Sequence, residues 1–136
     1  MLNETATGDP GIPAATRVDI VDDDASVRKA LGRLLNSVGL VFRAHDSAKA
    51  YLESADREAA ACLLLDIHLP EMSGIELLEH LSEVAPDLSV ICMTGRDEPD
   101  IEDRVRAVGA CACLRKPFDE GELFEAISLS SEISIP

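Results

Sequence analysis

The chain has 136 residues, 46% of them apolar, and carries 26 acidic side chains against 12 Lys plus Arg, a formal net charge of −14. That length suits one compact domain with a real core, while the charge repels phosphate backbones and anionic membranes, so direct nucleic-acid binding and membrane contact by this chain are not expected. No apolar run nears the roughly 20 residues that cross a bilayer and no basic-then-hydrophobic leader opens the chain, so a soluble, cytoplasmic protein is expected.

Residues 1–16, rich in Thr, Ala, Gly and Pro without an apolar period, read as a flexible leader, followed by one domain over 17–130 and a short tail over 131–136. A β-rich run from Arg17 stops at Asp22-Asp23-Asp24, and Val27, Ala30, Leu31, Leu34, Leu35 and Val38 then recur at helical spacing up to Gly39. Residues 40–44 predict a second strand and 47–54 a second helix. The apolar run Cys62-Leu63-Leu64-Leu65 leads into Asp66, and the spacing of Ile75, Leu78 and Leu81 predicts a helix over 74–84 with those three side chains inward. A near-unbroken strand follows at 88–93, then a helix from near Pro99 to Gly109, and a strand at 111–114. The last helix opens on a capping signature, Asp119 with Glu122, and carries Leu123, Phe124 and Ile127 on its apolar stripe.

Near-continuous apolar strands are what a parallel sheet covered on both faces requires. Five strands alternating with five helices therefore predict an α/β fold, a doubly wound five-stranded parallel sheet with helices on both faces. Cys62, Cys92, Cys111 and Cys113 fall in apolar runs and read as reduced core thiols; Cys111 and Cys113 have no further ligand at a zinc-site spacing.

The polar residues fall at the strand ends. Asp22 and Asp23 follow the first strand, Asp66 ends the third, Thr94 follows the fourth and Lys116 the fifth. In a parallel sheet those ends share one edge, the edge where open α/β sheets bind ligands, so three carboxylates, a hydroxyl and an ammonium group should converge on one crevice. Carboxylates a few ångströms apart repel by about 1 kcal/mol per pair even in water, and more near a protein surface. Oxygen-only ligands in this number favour Mg²⁺, which uses one or two carboxylates plus phosphate oxygens. A carboxylate can attack phosphorus to give an acyl phosphate, with the charge on the equatorial oxygens met by Mg²⁺, Lys116 and the Thr94 hydroxyl.

The pieces Val21-Asp22-Asp23, Leu65-Asp66-Ile67-His68-Leu69-Pro70-Glu71-Met72-Ser73-Gly74, Met93-Thr94-Gly95 and Lys116-Pro117-Phe118 resemble, in order and loop length, the receiver domain of a two-component response regulator, a flavodoxin-like fold. The resemblance implies that Asp66 is the phosphoacceptor, charged from the phosphohistidine of a sensor histidine kinase or phosphotransfer protein. It implies Mg²⁺ held by Asp22, Asp23, Asp66 and the backbone carbonyl of His68, with Lys116 pairing first with the acceptor carboxylate and then with the phosphoryl group. Thr94 would close on a phosphoryl oxygen as the switch, and the peptide before Pro117 would be cis. The run with Ser47-Ala48 and Tyr51-Leu52 is most similar to receivers placed ahead of a helix-turn-helix output domain.

One position departs from the pattern: Cys113 stands where receivers usually carry Phe or Tyr, the aromatic that swings in behind the switch threonine. The departure bears on how the signal leaves the site, not on phosphorylation, and it keeps a phosphorylation-independent interaction module as the alternative reading. Phosphatases with an aspartate nucleophile carry a second acid two residues on, where this chain has His68, so the protein is read as no enzyme beyond its own phosphoryl transfer and loss. Its partners would include an output domain or downstream protein, and the apolar face of the last helices permits a homodimer without requiring one. The His68 side chain is expected to face solvent, Asp24 or Ser26 to cap the first helix, and His45 and His80 to carry no function.

Overall fold

The computed structural model describes residues 17–95, 98–133 and 135. The leader expected over 1–16 lies outside the described residues. In chain order the elements are β1 (Arg17–Val21), α1 (Ala25–Ser37), β2 (Val41–His45), α2 (Ala48–Leu52), a 3₁₀ turn (Arg57–Ala59), β3 (Cys62–Asp66), α3 (Gly74–Val84), β4 (Ser89–Thr94), α4 (Ile101–Val108), β5 (Ala112–Arg115) and α5 (Glu120–Ser130).

The strands form one sheet in the order β2-β1-β3-β4-β5, every neighbouring pair parallel. This is the doubly wound five-stranded sheet that the alternating elements predict. Alternate side chains of each strand feed opposite layers, as the two-residue period demands. Val18, Ile20, Cys62, Leu64, Ile91 and Met93 pack with Leu31 and Leu35 of α1 and Leu123 and Ile127 of α5. Val21, Leu63, Leu65, Val90 and Cys92 pack with Tyr51 of α2, Leu77, Leu78 and Leu81 of α3, and Val105 of α4.

Local chemistry explains where the helices start. Asp24 caps α1, accepting from the Ser26 and Val27 amides at 2.8 and 3.4 Å. Ser73 with Glu76 and Asp119 with Glu122 form reciprocal capping boxes on α3 and α5. Gly39 stops α1 at φ +84°, a conformation that costs glycine little. The helix expected from near Pro99 begins at Ile101, because Asp100 takes φ +68° and breaks the helical run before it.

Three packing expectations need correction. On α3 the inward positions are Leu77, Leu78 and Leu81, with Ile75 only half-buried. Cys111 is exposed and Cys113 half-buried, since they lie on and just before the edge strand β5, where no neighbour covers one side. Cys62 and Cys92 are buried as expected, and burial pushes both thiols up to about 12. Asp19, in the middle of β1, is fully buried, and Arg17 pairs with it through Nε at 2.9 Å and Nη2 at 3.3 Å. A two-pronged guanidinium bond of this kind satisfies a carboxylate that would otherwise be costly inside. At the far end of the chain Ile133 is buried in the α1/α5 layer, and the Ser89 hydroxyl at the start of β4 donates to the Ser130 carbonyl at the end of α5.

Candidate functional site

The register aligns Val21 with Leu65, Asp66 with Met93 and Thr94 with Arg115, so β1, β3, β4 and β5 end along one edge. All five residues singled out by sequence lie there. Asp22 is 0% and Asp66 5% exposed, Thr94 is buried, and Asp23 faces outward.

Asp22 and Asp66 are each oriented by their own loop. Asp22 Oδ1 accepts the Asp24 amide at 2.9 Å, and the Asp22 carbonyl accepts Arg28 Nη1 at 2.8 Å, which ties the loop to the first turn of α1. Asp66 Oδ1 accepts the His68 amide at 3.0 Å. Lys116 Nζ donates to Asp22 Oδ2 at 2.5 Å and to Asp66 Oδ2 at 3.5 Å, so its main partner is Asp22. The Lys116 amide donates to the Thr94 carbonyl at 2.7 Å, and the Lys116–Pro117 peptide is cis, as the resemblance implies.

Among the described residues the charges do not balance. Asp22, Asp23 and Asp66 bring carboxylate oxygens within 4.8 Å of one another, with Lys116 the cation bonded among them. Burial raises the Asp66 pKa, opposed by the His68 amide and Lys116 and reinforced by Asp22. Burial pulls Lys116 down, but the hydrogen bond and charge of Asp22, helped by Asp66, outweigh it and leave the ammonium above its usual range. A hard divalent cation fits such a donor set, since it takes oxygen ligands and cancels their repulsion.

A stability prediction follows from the sign of the Asp66 shift. A pKa raised on folding means that ionised Asp66 destabilises the fold above that pKa, so a neutral isostere removes a penalty. Asp66→Asn is expected to stabilise the metal-free protein by about 1 kcal/mol, roughly 4 °C in thermal midpoint, with the gain shrinking in saturating Mg²⁺. A lower midpoint without metal would show that the attraction of Lys116 dominates.

Two features were missed from sequence or misjudged. The His68 side chain does not simply face solvent: Nε2 lies 2.8 Å from Glu98 Oε1 and 3.3 Å from Thr94 Oγ1. Glu98, in the loop before α4, had no sequence signal, because its partner is 30 positions away and shares no element with it. Gly74 opens α3 for a steric reason. A Cβ there would sit 2.3 Å from Ile67 Cα and 2.5 Å from the Asp66 carbonyl oxygen, so α3 starts directly on the peptide that follows Asp66.

Known proteins share this fold. The family model of the response regulator receiver domain matches residues 18–128. The transcriptional regulatory protein FixJ of Azorhizobium caulinodans is 34% identical over 119 residues, covering 88% of this chain and 56% of FixJ. The response regulator protein TodT of Pseudomonas putida is 33% identical over 120 residues, 88% of this chain and 53% of TodT. The chain thus spans about half the length of these relatives. Among solved structures, FixJ-N superposes with a TM-score of 0.76 at 32% identity, covering 88% of this chain and 96% of that one. The response regulator StyR gives 0.77 at 37% identity, covering 85% and 59%. Sequence, sheet topology and strand-end residues lead to one conclusion: the chain belongs to the response regulator receiver domain family.

Proposed function

We propose that this receiver is switched by a phosphoryl group accepted on Asp66 from the phosphohistidine of a sensor histidine kinase or phosphotransfer protein. The observation that carries the reading is a buried carboxylate at the sheet edge with Lys116 Nζ 3.5 Å from its outer oxygen. Asp66 Oδ2 forms the new bond to phosphorus as the bond from phosphorus to the imidazole nitrogen breaks, leaving an acyl phosphate on the protein. The His68 amide holds Oδ1, so Oδ2 is the oxygen turned toward Lys116. Lys116 then meets the charge on the phosphoryl oxygens, and the Thr94 hydroxyl turns to donate to one of them.

Asp22, Asp23, Asp66 and the His68 carbonyl would hold Mg²⁺, which supplies positive charge between the carboxylates and the incoming phosphoryl group. The domain, taken as 17–130, acts on no external substrate beyond its own phosphoryl transfer and loss, and it works in the cytoplasm. Its output is an attached domain, a downstream protein or a second copy of the chain. Transcriptional control is supported by FixJ and by the DNA-binding transcriptional regulator NtrC of Proteus hauseri, 37% identical over 108 residues. DNA contact falls to the output partner, since the net charge of −14 opposes it here. These relatives favour the phosphorylated reading over the phosphorylation-independent one that Cys113 suggested.

The test is intact mass after incubation with Mg²⁺ and a small acyl-phosphate donor. Gain of one phosphoryl group, absent in Asp66→Asn and in a magnesium-free control, is the expected outcome. A folded, magnesium-saturated protein that gains nothing would return the phosphorylation-independent module to first place.

A further inference from the structure

His68 touches three separate parts of the site. Its amide donates to Asp66 Oδ1 at 3.0 Å, and its ring Nε2 lies 2.8 Å from Glu98 Oε1 and 3.3 Å from Thr94 Oγ1. The ring and the Glu98 carboxylate are about equally exposed, 29% and 33%, at the mouth of the crevice. A carboxylate only accepts hydrogen bonds, so a contact at 2.8 Å requires the ring proton on Nε2. With that nitrogen a donor, Thr94 Oγ1 is a second, weaker acceptor of the same hydrogen.

We propose that Glu98 is a positioning residue: it holds the His68 ring over Thr94 in the unphosphorylated protein and so restrains the threonine from turning to Asp66. The inference rests on the Asp66 reading above. A phosphoryl group on Asp66 brings a second anion toward the one Nε2 hydrogen, and it arrives beside a ring whose main chain is already bonded to Asp66 Oδ1. Glu98 and the phosphoryl group then compete for His68. When the phosphoryl group wins, the ring releases Thr94 Oγ1, which is the movement the switch needs. Because a ligand shifts two conformers only by its differential contacts, Glu98 sets how readily the protein switches without touching the reacting atoms.

Removing Glu98 takes away the anchor that keeps the ring over Thr94. Glu98→Ala is expected to speed phosphorylation by a small acyl-phosphate donor about three- to fivefold, the scale of a partly exposed ion pair, with Mg²⁺ affinity unchanged, and Glu98→Gln, whose amide oxygen still accepts from Nε2, should give less. His68→Asn should give a similar gain, and combining it with Glu98→Ala should add nothing further, because the two act as one unit. A purely structural role for Glu98 would not produce that non-additivity.

The experiment has two arms. Nitrogen-15 NMR of the His68 ring in the unphosphorylated protein reads the contact directly, and rate constants from intact mass read its consequence. A shifted Nε2 resonance in Glu98→Ala, with non-additive rates, is the expected result. An unmoved resonance, or rate effects that multiply in the double variant, would overturn the proposal. If the wild-type chain accepts no phosphoryl group, the Asp66 reading fails, and the NMR arm alone still decides whether Glu98 holds His68.

Discussion

Lys116→Met is expected to slow phosphorylation of Asp66 on the order of 100- to 1,000-fold, the usual effect of removing one preorganised charge from a transferring group. Methionine keeps the stem and its packing while deleting the ammonium that bonds Asp22 at 2.5 Å and reaches Asp66 at 3.5 Å. Two further consequences separate this from general damage. Asp22 is fully buried and, among the described residues, would keep the Asp24 amide as its remaining side-chain partner, so the metal-free variant should lose about 2 kcal/mol of stability, less than a fully buried pair because the lysine is partly exposed. Mg²⁺ should bind more tightly to the variant, since the competing cation is gone. Calorimetric Mg²⁺ titration beside intact-mass kinetics checks both; equal magnesium affinity with slow phosphorylation would mean that Lys116 acts on the phosphoryl group alone.

Gly74→Ala should be the most destabilising small substitution in the site. The added methyl would meet Ile67 Cα at 2.3 Å, the Asp66 carbonyl oxygen at 2.5 Å and the Ile67 amide nitrogen at 3.0 Å, all of them backbone atoms. Nothing flexible can yield, so either α3 lifts off or the peptide after Asp66 shifts. The expected loss is about 3 kcal/mol, roughly 10 °C in thermal midpoint. Because the displaced peptide follows Asp66, the proposed acceptor, phosphorylation should slow at least tenfold even where the fold survives. A variant that melts normally would show that the two backbones are further apart than their contact implies.

The ease of reading this chain varied with the range of the physics involved. The ends of β3 and β4 were legible because the residues before them are apolar on both faces, so Asp66 and Thr94 stood out as the first polar residues after Leu65 and Met93. The bounds of α3 matched because Ser73 and Glu76 are a local capping signal. The helix after Pro99 started late because a left-handed Asp100 is a choice of the folded loop. Leu77 was passed over for Ile75 since the helical period fixes spacing but leaves the phase open by one position. Asp19 carries no signal of its own in the strand pattern; its partner Arg17 lies two residues away on the same face and covers it. His68 and Glu98 were beyond reach for a different reason: their contact joins two loops that only the finished sheet brings together.

One consequence of the packing concerns light. The chain has no tryptophan and a single tyrosine, Tyr51, which is buried in the layer beneath α2 with its ring edge-on to His45, centroids 5.6 Å apart at 73°. The carbonyl of that histidine accepts the amide of Asp22. All tyrosine absorption, emission and near-ultraviolet dichroism therefore arise from one ring at the corner between β2 and α2, a short bonded path from the first acidic residue of the site. The molecule carries its own single-point optical probe.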